Sequence, residues 1–287
     1  MSHVIEIDNL EDDRLVAYWD LRDADLRGAR RLFTVESTRV IRRFLASSWP
    51  VESLLLEPHA FDALREELST LEEGIPIYRA PADSLETISG YGFHRGALAL
   101  GRREQMPQGI ASLGNTLEKE SCTILAAEGV VHVDNMGGLF RNAACLGADG
   151  VMLSPACADP LFRKTVRIST GRVFTIPWTR CESWPDSLIE LREEHGFRIV
   201  ALETGADAIS LEQLALEPRM LMLVGAEGRG LAPATLAACD QVLEIPSSAD
   251  AEDETSVNVA VASAIGLYEL GRRRRAHDLD QRRFGSA

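Results

Sequence analysis

From residue 117 onward the chain alternates short, largely apolar runs with amphipathic ones, and that alternation constrains the fold more than any other feature of the sequence. Apolar runs fall at 123–127, 150–153, 173–176, 197–202, 220–224 and 241–245. Between and after them lie stretches with helical spacing at 138–146, 160–168, 187–195, 233–239 and 257–271. A strand with one wet face alternates apolar and polar residues, whereas a strand covered on both faces does not. Continuous apolar strands separated by helices therefore predict an α/β fold with a parallel sheet covered on both faces. In such sheets ligands collect in the loops beyond the carboxyl ends of the strands.

The first third has a different texture. Helical spacing over 38–46 and 60–71, with short strands at 53–56, 76–78 and 97–100, predicts a small α/β domain over 1–104. Residues 105–116 are rich in proline, glycine and small polar residues and are expected to form a linker to a second domain over 117–287. A chain of 287 residues is long enough for two domains of ordinary size.

Several classes are disfavoured at once. No stretch approaches the roughly 18 apolar residues of a membrane span, and the start lacks the basic-then-apolar layout of a signal peptide. A cytoplasmic protein with no membrane partner is expected. The five cysteines (Cys122, Cys145, Cys157, Cys181, Cys239) include no Cys-x-x-Cys pair, and the six histidines are dispersed. Reduced thiols and no metal site are the expectation. The net charge of −14 is awkward for a nucleic-acid partner, which requires local positive charge. The charge is uneven, however. Residues 22–43 hold seven arginines (Arg22, Arg27, Arg30, Arg31, Arg39, Arg42, Arg43) against three acids, enough for a local basic surface.

Three stretches sit at strand–helix junctions of the second domain. They are Asn135-Met-Gly-Gly-Leu-Phe-Arg141-Asn-Ala, Gly225-Ala-Glu-Gly-Arg-Gly230, and Ile245-Pro246 followed by Ser256-Val-Asn258-Val-Ala. Each has a plain structural reading. Asn135 is placed to cap a helix starting at Gly138, Ser256 to cap the last helix with Asn258 in its first turn, and 225–230 to make a tight turn. Each also has a functional reading. A glycine-rich turn lets backbone N–H groups approach a ligand, and an arginine suits a phosphate or an anionic transition state.

Together, in this order and at these junctions, the three stretches resemble the motifs of the SpoU family of RNA ribose 2'-O-methyltransferases, within the SPOUT superfamily. The resemblance extends over about residues 11–272. It includes Asp159-Pro-Leu-Phe-Arg163-Lys164, Val173-Phe-x-x-Pro177-Trp178, Leu32-Phe-Thr-Val-Glu36 and His94-Arg95-Gly96. It implies S-adenosylmethionine as cofactor, rRNA or tRNA as partner, and a homodimer formed through the C-terminal domain. It also implies that the second domain is a SPOUT domain with a trefoil knot, and that the first is an L30e-like substrate-binding domain. Carried over residue by residue, Arg141 would take part in activating the ribose hydroxyl; because arginine stays protonated, the expected form of that role is to hold the adjacent phosphate and steady developing oxyanion charge, with Asn135 orienting it. Glu227 would supply negative potential near the sulfonium, and Ser256 and Asn258 would position the ribose or the loop. Gly225, Gly228, Ile245 and Val257 would line the cofactor site.

One stretch departs from the family pattern. After Ile245-Pro246 the family has a methionine and a glycine, and here Ser247-Ser-Ala-Asp-Ala-Glu-Asp-Glu-Thr255 intervenes, with four acids. The alternative this raises is a non-catalytic RNA-binding relative with an altered cofactor loop at 247–255.

Overall fold

The computed structural model describes residues 3–19, 28, 30–89, 96–103, 106–205, 207–246 and 256–284. Two compact units emerge, one of Met1–Met106 with Asp159–Thr175, the other of Pro107–Ala158 with Ile176–Ala287.

In the second unit the apolar runs become the strands β6 (Cys122–Ala127), β7 (Gly150–Leu153), β8 (Trp178–Arg180), β9 (Arg198–Leu202), β10 (Ile209–Ser210), β11 (Arg219–Val224) and β12 (Gln241–Glu244). They form one sheet in the order β10-β12-β9-β11-β6-β7-β8, and every pairing is parallel. The chain runs outward through β7 and β8, returns to β9, and later inserts β11 between β9 and β6. This gathers the ends of β6, β9 and β11 side by side.

Both faces of the sheet are covered. On one, Ile124, Ala126, Leu221, Leu223, Ile199 and Ala201 pack with Leu188 and Leu191 of the helix Asp186–His195. On the other lies the last helix, Val259–Phe284. Its Gly266 sits so near Met222 and Leu202 that a Cβ would come within 2.5 Å of the Met222 sulfur. The absence of a side chain there lets the helix lie flat on β9 and β11.

The last helix also packs on the helix Val133–Leu146. Asn142 donates to Ala260 O (2.6 Å) and Ser263 Oγ (3.1 Å). A Cβ on Gly138 would come within 2.8 Å of Ala260 Cβ. The arginine run after Gly271 docks the same helix near its middle. Arg273 donates to Leu214 O (3.0 Å), and Arg274 to Pro218 O (2.9 Å) and Cys122 O (3.2 Å).

In the first unit, β1 (His3–Glu6), β2 (Leu32–Glu36), β3 (Val51–Leu56), β4 (Pro76–Arg79) and β5 (Ala97–Arg102) form a mixed sheet in the order β1-β4-β3-β5-β2. β1, β4 and β3 are parallel, while β5 runs antiparallel to β3 and β2. Phe33, Phe44, Trp49 and Phe174 interlock by edge and face contacts. Phe174 comes from Asp159–Thr175, which joins this unit through polar links as well. Arg163 and Arg167 pair with the buried Glu36, Arg103 pairs with Asp159, and Arg43 donates to Thr170 Oγ1 (3.0 Å).

Several elements differ from the sequence reading. The helix expected from Gly138 begins at Val133, so Asn135 lies inside it and does not cap it. The strand expected at 173–176 is instead a 3-10 turn, Arg172–Phe174, with the strand following at Trp178–Arg180. The expected helix 60–71 is two short helices, Pro58–Ala63 and Arg65–Ser69, broken at Leu64. Part of the expected linker is a 3-10 element, Ile110–Glu118, whose Ile110 and Leu113 are buried in the second unit's core.

Candidate active site

The three motifs meet beyond the carboxyl ends of β6, β11 and β12. The helix Val133–Leu146 follows β6 after a short loop. Asp134 in its first turn favours the positive end of its dipole. Gly147, at φ +88°, ends it in the left-handed conformation that glycine adopts without strain. Asn135 is half-buried in the first turn.

Asn258 is the residue that joins the motifs. Its amide nitrogen donates to Asn135 Oδ1 at 3.0 Å and to Glu227 Oε1 at 2.5 Å. Its amide oxygen accepts from the backbone N–H groups of Ala260 (2.9 Å) and Val261 (3.3 Å), and its carbonyl accepts from Ala262 (2.8 Å). Asn258 is therefore the cap of the last helix, the place that the sequence reading gave to Ser256. A single side chain uses its acceptor to start a helix and its two donors to tie together residues 31 and 123 positions away.

The turn at 225–230 is tight for a stated reason. Gly230 N–H donates to Ala226 O at 2.9 Å, which brings the backbone of Gly230 against Gly225. A Cβ on Gly225 would lie 2.5 Å from Gly230 C. Gly228 and Gly230 have φ of +77° and +63°, a region that L side chains rarely adopt. Glu227 is exposed at the tip. Beyond β12, Ile245 is half-buried, and Val257, just before the cap, is 47% exposed. They offer apolar surface beside polar backbone. Ser256 is exposed. The altered stretch 247–255 lies outside the described residues.

Arg141 stands apart from this cluster. At about 100° per residue, six residues place it roughly 120° around the helix from Asn135. Asn142, by contrast, falls back on Asn135's face and grips the last helix. Arg141 is exposed and, among the described residues, makes no hydrogen bond or ion pair. Asn135 is thus bonded to Asn258 and not to Arg141, against the expectation that it orients the arginine.

Two carboxylates that the sequence reading missed hold the glycine turn from its far end. Glu203, the residue after β9, accepts from Leu231 N (2.8 Å) and Thr204 N (3.1 Å). Glu128, the residue after β6, accepts from Ala232 N (3.1 Å) and Trp184 Nε1 (2.9 Å). The available signal was positional: an acid directly after a buried strand, repeated at Glu57, which accepts from Leu85 N at 3.0 Å.

The described residues contain no group of three or more histidine, cysteine or acidic side chains placed to hold a metal. Burial pushes the thiols of Cys122 and Cys239 up to about 11 and about 12, and raises those of Cys157 and Cys181. None of the four is a thiolate nucleophile at neutral pH. No described helix is long and apolar enough to cross a membrane.

The arginines sort into committed and available ones. Arg42 pairs with Glu67, and Arg43 is bound to Thr170. Arg30 and Arg31, with Arg102, line a cleft of about 500 Å³ in the first unit together with Ala17, Leu32 and Glu52. Glu52 neutralises Arg102 at 2.8 Å. Arg22, Arg27, His94 and Arg95 fall outside the described residues, and Gly96 precedes β5.

Comparison with known proteins places the chain among RNA methyltransferases. The model of the SpoU rRNA methylase family matches residues 123–268. An uncharacterized tRNA/rRNA methyltransferase of Mycobacterium bovis is 36% identical over 269 residues, 91% of this chain and 90% of the relative. A 23S rRNA (guanosine-2'-O-)-methyltransferase of Acinetobacter baylyi is 26% identical over 202 residues, 70% of this chain and 80% of that one. Among solved structures, the SpoU methyltransferase AviRb of Streptomyces viridochromogenes in complex with AdoMet superposes with a TM-score of 0.77 at 25% identity. That match covers 92% of this chain and all of the other.

Proposed function

The chain belongs to the SpoU rRNA methylase family, and from that premise we propose that it transfers the methyl group of S-adenosylmethionine to a ribose 2'-hydroxyl of rRNA or tRNA. The observation that carries the reading is the bond set of Asn258, which draws Asn135, Glu227 and the start of the last helix into one cluster beside the glycine turn. A relative that only bound RNA would have no need of that assembly.

The residues present fit the cofactor. The turn 225–230 offers backbone groups with no side chains in the way at Gly225, Gly228 and Gly230. Ile245 and Val257 supply apolar contact for an adenine, and Glu227 places negative charge near a cationic sulfur. When bound, S-adenosylmethionine supplies an electrophilic methyl whose bonding pair departs with the sulfur. The protein's part is to align the ribose oxygen with that methyl, where orientation alone is worth several orders of magnitude in rate. Asn258 and Asn135 form the wall that holds the ribose, with the Ser256 hydroxyl beside them. Arg141 stays protonated, which suits it to gripping the neighbouring phosphate and steadying charge on the oxygen as its proton departs. In this reading Arg141 acts from the RNA side, engaged by substrate and not by Asn135.

The reading extends to the whole chain. The C-terminal segment forms the trefoil knot of the superfamily, the first unit is the L30e-like substrate domain, and the cleft at Arg30 and Arg31 takes RNA phosphates. The exposed Val261 and Tyr268, with the half-buried Ile265 between them on the last helix, are the surface of a homodimer; positions 261, 265 and 268 fall within about 60° of one another on a helix.

The test is mass spectrometry of rRNA and tRNA nucleosides from a deletion strain. One ribose-methylated nucleoside is expected to vanish and to return with the wild-type gene but not with Asn258→Ala. An unchanged set of ribose methylations would refute the activity. Calorimetry showing RNA binding without S-adenosylmethionine binding would favour the non-catalytic alternative.

A further inference from the structure

The glycine turn is held by a device that its own sequence does not contain. β11 is flanked by β6 on one side and β9 on the other. Each flanking strand is followed at once by a glutamate, and each glutamate is fixed by its own backbone. Glu128 N–H donates to Val224 O at 3.0 Å, and Glu203 N–H donates to Leu243 O at 3.0 Å. From these fixed points the two carboxylates reach consecutive amides, those of Leu231 and Ala232. These amides lie between the turn and the helix Pro233–Ala237.

The Glu203 carboxylate does more than accept hydrogen bonds. It fills the space where a Cβ of Gly230 would stand, so the two residues are fitted to each other. With Gly230 N–H on Ala226 O, the turn is closed at its neck by one backbone bond and anchored below the neck by two carboxylates. Glu227 and Gly228, at the tip, are exposed.

We propose that Glu203, assisted by Glu128, is a positioning residue for the methyl-transfer site, fixing the 225–230 turn so that its backbone groups are already aligned for the adenosyl moiety. This rests on the reading of that turn as the S-adenosylmethionine site. Both carboxylates act through the backbone and not on the ligand. Trp184, donating to Glu128, is the outer support of the same device.

A rival role for an acid in this place is direct attraction of the sulfonium charge. The two roles separate on S-adenosylhomocysteine, which keeps the adenosyl group and lacks the positive charge. Calorimetric titrations of wild type, Glu203→Gln, Glu203→Ala and Glu128→Gln with both ligands make the comparison, with amide hydrogen exchange over 225–232 read in parallel. Positioning predicts that Glu203→Gln and Glu203→Ala weaken both ligands by the same factor, on the order of ten-fold, as expected for loss of a charge-assisted hydrogen bond. Exchange should quicken over 225–232 and not in β9. Glu128→Gln should act in the same direction. Gly230→Ala should weaken binding less in the Glu203→Ala background, where the carboxylate no longer occupies the space, than in wild type.

Glu203 variants that bind both ligands as wild type does would overturn the proposal. So would a loss confined to the charged ligand, which would assign Glu203 to charge attraction. Wild-type protein that binds neither ligand would overturn the cofactor site itself, and the proposal with it. That result is distinct from wild-type binding with unaffected variants, which leaves the cofactor site standing.

Discussion

Asn258 carries two duties that one substitution can separate. Asn258→Asp keeps an oxygen for the N–H groups of Ala260 and Val261, so the helix cap survives. It removes the amide donors to Asn135 and Glu227 and sets a carboxylate against another. Thermal unfolding of this variant should stay near wild type, while methyl incorporation into RNA falls roughly a hundred-fold, the scale of losing an organised polar group in an active site. Asn258→Ala should lose both, with about 1 kcal/mol of stability gone for the missing cap. An Asp variant with full turnover would show that the amide donors are dispensable. The sequence told less about these residues than about any others. Asn135 and Ser256 each had the chemistry of a cap and sat near a helix start, but capping is decided by backbone angles at the boundary. The helix began five residues earlier than the glycines suggested, because the burial of Met136 and Gly137 outweighed the low helix propensity of Gly137 and Gly138. Glu128 and Glu203 showed only their place directly after a strand: their partners are main-chain amides 104 and 28 residues away, and a main-chain amide leaves no mark in a sequence.

At the scale of elements, the two helices behind the site are matched by small residues. Gly138 against Ala260, and Gly266 against Met222, allow close approach where the spacing of larger apolar residues specified only a buried face. The middle of the last helix is held by charge. Arg272 and Arg273 bond the Glu269 carboxylate and hold it down at about 2. Because the folded value lies below the unfolded one, this contribution is fully present above about pH 4.5 and is lost as pH falls toward about 2. Hydrogen exchange of the last helix should therefore quicken across that window in wild type, and Glu269→Gln should show no such step. Equal pH dependence in the two proteins would remove the carboxylate from this role. The strand expected at 173–176 shows where apolar pattern misleads. Val173, Phe174 and Ile176 are buried as expected, but the backbone there turns, and the ladder with β7 is made by Trp178–Arg180.

For the whole molecule, the parallel sheet of the second unit was legible because strands buried on both faces leave largely apolar runs without strict alternation. The membership of Asp159–Thr175 in the first unit was not, since it depends on Glu36, Arg163, Arg103 and Asp159 finding one another across more than fifty residues. Two expectations belong to this scale. On the proposed homodimer, the wild type should be a dimer by light scattering and Val261→Glu and Tyr268→Glu monomers, with little change in unfolding temperature. A wild-type monomer would discount that surface. Replacing Arg30 and Arg31 together by alanine should weaken RNA binding for all sequences alike and flatten the dependence of log K on log salt by about 1.5, with S-adenosylmethionine binding untouched. An unchanged slope would move the phosphate contacts elsewhere.

Asn258 follows every strand among the described residues, and its place in the chain has a consequence for synthesis. The sheet can be complete while the residue that links the loops is still inside the ribosomal tunnel. A nascent chain at that stage would hold the paired strands without the helix that covers one face of their sheet, and without the side chain that ties the loops together.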